Sequence, residues 1–248
     1  MIPYAPYPEL FTLNLFGLSI TLYTYGLFVG LGLLIGLLVA QKLASEKGIS
    51  HKIILDIALF GFLGGLIGAR IHYLILFGGN PFAIWEGGLI FQGGLIGALL
   101  TVYVYTRYKS IKFLRVLDVC APALALGHGI GRLGCFFRGC CYGIAMKTVM
   151  PWAIDYLGAL RHPAQLYSSF ANFSLFGMLM WLRKKSKIDG FVTACYLTGY
   201  SILRFIIEFF RTEPQYLAFL SGAQIIALVT LSMGLGMFYL IIKKRVTF

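Results

Sequence analysis

The sequence predicts an all-α protein that crosses a membrane about seven times, with its N-terminus outside and its C-terminus in the cytoplasm. Composition is the first indication: 59% of the 248 residues are hydrophobic and 12% are charged, whereas soluble domains carry about 25% charged residues. The second indication is the recurrence of apolar runs of roughly 20 residues, the length that a helix needs to cross a bilayer. The third is the position of the basic residues between those runs.

Seven apolar runs are long enough for membrane-spanning helices. They lie at about 18–40, 53–77, 88–106, 115–133, 165–183, 190–210 and 222–242. Glycine occurs in every run, which favours close packing of neighbouring helices. Because no long linker interrupts the pattern, we expect residues 1–248 to form a single transmembrane domain. The longest segment between runs, about 134–164, is expected to form a small exterior cap.

The basic residues follow alternate runs. Fourteen of the 21 lysines and arginines lie at 42–52, 107–115, 183–187 and 243–245. The positive-inside rule makes these segments cytoplasmic. The same distribution accounts for the net charge of +12, so the charge does not indicate nucleic-acid binding. The N-terminus lacks the basic region of a cleavable signal peptide, so we expect insertion to depend on the runs themselves.

The other seven basic residues lie within runs or on the predicted exterior side. They are Arg70, Arg132, Arg138, Lys147, Arg161, Arg204 and Arg211. An ionisable group inside a membrane span is costly and by default indicates a functional site. Arg204, Glu208 and Arg211 have the spacing i, i+4, i+7, which places them on one helix face.

This triad is net positive, so we interpret it as a binding site for an anion. Anionic lipid headgroups are the plentiful anions in a membrane. Glu208 is expected to orient the arginines or to hold a proton. An ion network that only ties the sixth helix to its neighbours is the alternative.

Residues 127–143 combine six glycines, three cysteines, two arginines and a histidine. Arginine donors suit phosphate, so Arg132 is predicted to join the anion site. Arg138 is either part of that site or a solvated interfacial residue. His128, within the fourth run, is either catalytic or a core residue. Arg70, in the second run, either lines the site or reaches the membrane interface.

The three cysteines of this segment leave three alternatives open. A disulfide from Cys135 to Cys140 or Cys141 is permitted outside the cell. A thiol beside two arginines is activated as a nucleophile. A zinc site fits less well, because structural zinc sites have four ligands and the C-x₄-C-C spacing supplies three. We therefore expect no metal and no cofactor.

Six short segments carry recognisable motifs in order. They are YTYGL at 23–27, GARIHY at 68–73, WEGGLIFQGGL at 85–95, GRLGCF at 131–136, RHPAQLY at 161–167 and RFIIEFFR at 204–211. On these motifs the sequence resembles the prolipoprotein diacylglyceryl transferases. The resemblance implies transfer of the diacylglyceryl group of phosphatidylglycerol to the thiol of a lipobox cysteine, with glycerol phosphate as leaving group. It also implies a multi-pass protein of the bacterial cytoplasmic (inner) membrane, with its active site facing the periplasm.

The residues and the resemblance together define the expected site. The expected catalytic residues are Arg132, Arg204, Glu208, Arg211, Gln92, His128 and Cys135. The expected substrate-binding residues are Tyr25, Arg70, Gly131, Gly134, Arg138, Cys140, Cys141, Tyr142, Gly143, His162, Gln165 and Tyr167. The expected partners are phosphatidylglycerol as donor, a secreted preprotein or another thiol as acceptor, and the lipid bilayer.

Five positions depart from the family motifs. Gln92 stands where the family has a histidine, and Gln92 cannot act as a general base near neutral pH. Cys135 replaces the signature asparagine, Arg138-Gly139-Cys140 replaces Asn-Gly-Glu, and Ser168 replaces an acidic residue. Either His128 or Glu208 then moves the proton, or the acceptor differs from the usual lipobox thiol.

Other functions of the same fold remain open. One is a phospholipid-dependent transferase with a small thiol or amine as acceptor. Another is a thiol-redox or metal-handling membrane protein that uses Cys135, Cys140 and Cys141. Transient attachment of the diacylglyceryl group to one of these cysteines, and lipid binding without turnover, are further alternatives.

Overall fold

The computed structural model describes residues 2–3, 6–15, 18–82, 87–146, 150–156, 158–211, 215–217 and 220–246. The helices of this part are α1 (Thr24–Glu46), α2 (His51–Phe77), α3 (Phe91–Tyr108), α4 (Phe113–Arg138), α5 (Ala164–Leu182), α6 (Phe191–Glu208) and α7 (Gly222–Val246). Five of the helices described, namely α1, α2, α4, α6 and α7, are long and apolar enough to cross a membrane. A helix satisfies its own backbone hydrogen bonds, as the bilayer interior requires. The prediction of an all-α protein with several membrane-spanning helices is confirmed.

The first helix begins later than the sequence predicted. Residues 18–23 belong to strand β3 (Leu18–Tyr23), which pairs antiparallel with β2 (Glu9–Leu15). The segment LSITLY alternates apolar with polar residues, which is the two-residue period of a strand. A count of apolar residues over about 20 positions does not separate this alternation from a helix.

The fourth helix ends later than predicted. α4 continues to Arg138, so residues 134–138 are helical and are not part of an exterior loop. Gly139 follows with φ 76°, the left-handed conformation that glycine adopts at helix ends. Its N–H donates to the Phe136 carbonyl at 3.0 Å, and the Cys140 N–H donates to the Cys135 carbonyl at 3.2 Å. The helix therefore ends at the Arg138–Gly139 boundary.

Short strands accompany the helix ends. β1 (Ile2–Pro3) runs parallel to β4 (Ile154–Tyr156), and β4 pairs antiparallel with β5 (Ala159–Arg161). β6 (Gln215–Leu217) and β7 (Leu220–Ser221) form a hairpin before α7. The segment between α4 and α5, which the sequence predicts to be a cap, thus carries β4 and β5.

The chain divides into two compact units, one formed by residues 1–36 with 120–248 and the other by residues 37–119. In the first unit, α1 and α4 approach closely, because a methyl group on Gly32 would lie 2.9 Å from the Gly127 carbonyl oxygen. Buried apolar residues of α4, α5 and α6 form its core: Ala121, Ala125, Leu175, Leu179, Val192 and Cys195. The hydroxyls of Ser201 and Thr230 lie 2.6 Å apart and join α6 to α7.

In the second unit, α2 packs against α3 at facing glycines. A methyl group on Gly68 would overlap the carbonyl of Gly93, so the backbones meet as small residues allow in membrane helices. Lys47 forms an ion pair of 3.2 Å with Asp118, and the Tyr105 hydroxyl donates to Asp56 at 2.5 Å. That all 248 residues form a single transmembrane domain stays a prediction.

Candidate active site

The predicted charge triad lies at the end of α6, but only Arg204 and Glu208 are helical, because the helix stops at Glu208 and Arg211 follows it. Arg204 Nη1 lies 2.6 Å from Glu208 Oε2, and Arg211 Nε lies 3.7 Å from the same oxygen. The other carboxylate oxygen of Glu208 accepts a hydrogen bond of 2.8 Å from the Ser221 hydroxyl. Glu208 is 4% exposed. One buried carboxylate therefore holds two guanidinium groups, and the group keeps a net positive charge.

A pocket between α4, α5 and α6 lies beside this triad. Its empty volume is about 240 Å³, which includes space open to the surroundings. The residues that line it are His128, Arg132, Ser168, Asn172, Tyr200, Leu203, Arg204 and Ile207. Arg132 and Arg204 thus face one pocket, as the anion-site interpretation requires. Arg211 is not one of the lining residues, and Glu208 joins it to Arg204.

His128 lines the pocket and stacks on an aromatic ring. Its imidazole lies 5.4 Å from the Tyr200 ring, centroid to centroid, at an angle of 29°. Arg132 and Arg204 are its charged neighbours. His128 is thus a pocket residue with a fixed ring orientation, and its catalytic role stays a prediction.

Asn172 is a pocket residue that the sequence analysis missed. It is 4% exposed, its amide nitrogen donates to the Ser168 carbonyl at 2.7 Å, and its Oδ1 has no partner among the described residues. A signal for it exists in the sequence, because Gln165, Ser168, Ser169 and Asn172 recur at helical spacing in an otherwise apolar run. All four side chains are buried in the structure. Tyr200 was also missed.

The three cysteines of the loop meet at the end of α4. The sulfur atoms of Cys135, Cys140 and Cys141 all lie within 4.8 Å of one another. All five cysteines, each in the described part of the chain, are free thiols. The Gln165 amide donates to the Cys140 carbonyl at 2.7 Å and so fixes the loop to α5.

The loop thiols have different acidities. The pKa of Cys141 is lowered to about 5, mainly because the Cys135 thiol donates a hydrogen bond to the Cys141 sulfur. Burial acts in the opposite direction and raises the pKa. A hydrogen bond from the Cys140 thiol and the positive charges of Arg132 and Arg211 lower it further. The pKa of Cys140 is raised, mainly by burial and then by the neighbouring Cys141. Negative charge in the cluster therefore collects on Cys141.

The loop after the cysteines is attached to the end of α6. Gly143 pairs with Arg211 in an antiparallel bridge, and its N–H donates to the His162 carbonyl at 2.9 Å. The Ile144 N–H donates to the Phe210 carbonyl at 3.0 Å. A methyl group on Gly143 would lie 2.7 Å from His162 Cβ, so only glycine fits here. The cysteine loop and the charge triad are held next to each other.

Three residues of the fifth motif support this loop. His162 Nδ1 lies 3.1 Å from the Tyr167 hydroxyl, and both rings pack on Phe210. Burial lowers the pKa of His162. Gln165 is buried beneath Cys140. His162, Gln165 and Tyr167 therefore contact the loop and the end of α6, and they do not line the pocket.

The other predicted residues of the first unit surround the loop. The Arg138 guanidinium lies 5.6 Å from the Tyr25 ring centre, and Arg161 lies 4.9 Å from that of Tyr142. Such stacking is a common use of arginine at a protein surface. Gly134 lets α1 approach, since a methyl group there would lie 2.8 Å from Phe28 Cβ.

Two predicted site residues lie in the second unit. Arg70 is 7% exposed and donates to the Gly87 carbonyl at 2.6 Å, as well as to the carbonyl of Asn80. These bonds tie Asn80 and Gly87 to α2, which gives Arg70 a structural use. Gln92 is exposed in the first turn of α3. The substrate-binding role of Arg70 and the catalytic role of Gln92 stay predictions.

The fold and the pocket define a class: a polytopic helical membrane protein with a cationic pocket between its helices. A family model described as prolipoprotein diacylglyceryl transferase matches residues 13–240. The chain belongs to this family, and its predicted membership and transferase class are confirmed.

Curated relatives of this chain carry the same description. A phosphatidylglycerol–prolipoprotein diacylglyceryl transferase of Finegoldia magna is 37% identical over 229 residues, covering 89% of this chain and 91% of the relative. The protein of that name in Clostridioides difficile is 38% identical over 239 residues, covering 94% and 95%. That of Clostridium tetani is 34% identical over 245 residues, covering 93% and 96%.

Proposed function

We propose that this protein transfers the diacylglyceryl group of phosphatidylglycerol to the thiol of a prolipoprotein cysteine and releases glycerol phosphate. The observation that carries the proposal is the shared pocket of Arg132 and Arg204 in a chain of this family. The names of the relatives supply the donor and the kind of acceptor.

The two pocket arginines suit the charge changes of this reaction. The acceptor thiol loses its proton to solvent, and its sulfur attacks the carbon of the diacylglyceryl group that bears the phosphate. The C–O bond breaks, and its electron pair remains on glycerol phosphate. Guanidinium groups donate to phosphate oxygens in a fixed fork. Donors that are already in place stabilise developing charge more strongly in a site that excludes water. Arg132 and Arg204 therefore bind the phosphodiester and stabilise the leaving group.

Glu208 acts as a positioning residue in this proposal. Its carboxylate is occupied by Arg204, Arg211 and Ser221. These contacts fix the guanidinium of Arg204, which lines the pocket. The alternative, a purely structural network, predicts that loss of Glu208 changes stability without changing lipid affinity.

The site is proposed to face the periplasm from the bacterial cytoplasmic membrane. The Tyr7 N–H donates to the Phe137 carbonyl at 2.8 Å, and the loop after α4 contacts Gln165 of α5 and Arg211 after α6. The basic segment 183–187 joins the opposite ends of α5 and α6. Since basic segments stay in the cytoplasm, we infer that the pocket end lies outside.

The test uses purified protein with phosphatidylglycerol and a lipobox peptide, with products followed by mass spectrometry. We expect a thioether-linked diacylglyceryl peptide and an equal amount of glycerol phosphate.

Arg132→Ala and Arg204→Ala should each lose at least about 100-fold in kcat/KM, the usual effect of removing one such donor. Arg107→Ala, at an exposed arginine of α3, serves as the control and should keep full activity. Normal turnover in both pocket variants would refute the assignment. Modification of a small thiol in place of the peptide would identify the other acceptor class.

A further inference from the structure

The cysteine cluster at the end of α4 has the geometry of a metal site. Three sulfur atoms lie within 4.8 Å of one another, and no fourth histidine, cysteine, aspartate or glutamate of the described part of the chain belongs to the group. Zn–S bonds of about 2.3 Å in a tetrahedron separate the sulfurs by roughly 3.8 Å. The cluster thus has to contract by about 1 Å at most.

The backbone is bent so that the sulfurs converge. Gly139 has φ 76° and turns the chain back over the end of α4. Cys141 has φ 61°, a left-handed conformation that is uncommon for a residue other than glycine. The residue as a whole is exposed and only its sulfur lies against the other two thiols, so core packing does not require this conformation. Such local strain is typical of functional positions, and here it brings the third sulfur to the other two.

The donors and charges of this cluster select the ligand. Thiolates are soft ligands that favour zinc over calcium or magnesium. Three thiolates and one Zn²⁺ leave a single negative charge, and the positive charges of Arg132 and Arg211 act on Cys141. Zinc sites that perform chemistry hold the metal with three protein ligands and keep the fourth position for water or substrate.

We propose that Cys135, Cys140 and Cys141 bind one zinc ion whose fourth ligand is the thiolate of the acceptor cysteine. The role of the bound thiolate rests on the proposed function. A thiol that coordinates a divalent metal is deprotonated, and its proton passes to solvent. Its sulfur then forms the S–C bond to glycerol as the C–O bond breaks, and glycerol phosphate leaves with the electron pair. The thioether product is a neutral, weaker ligand that dissociates.

This inference accounts for three of the departures from the family motifs, at Gln92, Cys135 and Cys140. Gln92 stands in place of the histidine and is no base near neutral pH. A zinc-bound thiolate needs no general base in the reaction step. The sequence alone did not favour a metal because three ligands are too few for a closed structural site. Three ligands are the number that an open site has.

Zinc content per chain is the first test. The protein is purified without chelator, dialysed against zinc and then against buffer, and analysed by elemental mass spectrometry. We expect about one zinc per chain in the wild type and less than a fifth of that in Cys140→Ser and in Cys141→Ser. Cys120→Ser, at a cysteine outside the cluster, should retain the full zinc content. Equal folding of the variants is checked by their melting temperatures. Absence of zinc in the wild type, or equal zinc in all variants, overturns the inference.

Cobalt substitution tests the fourth position without relying on turnover. Co²⁺ in the site should show a sulfur-to-cobalt charge-transfer band that intensifies with a cysteine lipobox peptide and not with its serine analogue. An unchanged band overturns the substrate-ligand role.

Comparison of metal-free and zinc-loaded protein separates the two proposals. Equal transferase activity in both overturns the zinc inference and leaves the proposed function standing. Zinc binding and peptide coordination without glycerol phosphate release, by contrast, refute the proposed function and leave the metal site standing.

Discussion

Replacing Glu208 by glutamine tests how the charge triad is built. The carboxylate lies 2.6 Å from Arg204 and 3.7 Å from Arg211, and it accepts a hydrogen bond from Ser221. Glu208→Gln keeps the shape of the side chain and removes its charge. The two guanidinium groups then remain close together without their counter-ion.

The expected loss of stability follows from these contacts. Removing one partner of a buried ion pair costs about 3–5 kcal/mol. The Arg204 side chain is 20% exposed and that of Arg211 is 9% exposed. Solvent therefore screens part of the charge, and we expect the low end, about 3 kcal/mol. For a protein of this size that corresponds to a melting temperature lower by on the order of 6–12 °C.

Phosphatidylglycerol should reverse part of this loss. Its phosphodiester carries the negative charge that Glu208→Gln lacks, and a ligand that binds only the folded state raises the melting temperature. We measure melting in a neutral detergent with increasing phosphatidylglycerol, or with zwitterionic phosphatidylcholine as the lipid control. Phosphatidylglycerol should raise the melting temperature more in Glu208→Gln than in the wild type.

The control variant is Glu9→Gln, at an exposed carboxylate of β2, which should change stability by less than about 0.5 kcal/mol. The reasoning is refuted if Glu208→Gln melts like the wild type in lipid-free detergent. A lipid-induced shift of equal size in both proteins would also refute it, because the triad would then be a structural network.

Three further substitutions and one matched control have distinct expected outcomes. Asn172→Ala removes an unpartnered pocket oxygen and should raise the KM for phosphatidylglycerol about 10-fold with little change in kcat, measured by glycerol phosphate release. Gly143→Ala places a methyl group against His162 and Phe210 and should abolish turnover. Its control is Gly177→Ala, which has open space around it and should stabilise α5 by up to about 1 kcal/mol. Equal activity and equal melting temperatures in the two variants would contradict the packing of the loop. Ser221→Ala removes a hydrogen bond to Glu208 and should lower stability by about 1–3 kcal/mol, and no change in melting would show that this bond is dispensable.

The sequence predicts those features that depend on residues close together in the chain. The i, i+4 spacing of Arg204 and Glu208 was enough to predict their ion pair, because helix geometry fixes it. The prediction that Arg211 shares the same helix face was wrong, since α6 ends at Glu208 and Arg211 pairs with Gly143 instead. The apolar runs predicted the helices because a helix needs roughly 20 apolar residues to cross a bilayer. Strand β3 was mistaken for the start of a helix because its apolar content resembles that of a membrane span, although its two-residue alternation differs.

Other features depend on backbone angles and on contacts between distant segments. The convergence of Cys135, Cys140 and Cys141 requires positive φ at Gly139 and at Cys141, and only the first of these is suggested by residue type. Attachment of the loop to α6 depends on the Gly143–Arg211 bridge, which joins residues far apart in sequence. These long-range pairings are not visible in local patterns.

A crystal structure of the protein grown with phosphatidylglycerol tests the central claim most directly. The account predicts a lipid phosphate in the pocket between α4, α5 and α6, with its oxygens about 3 Å from the guanidinium groups of both Arg132 and Arg204. A phosphate bound elsewhere, while these two arginines contact only protein groups, would contradict the account.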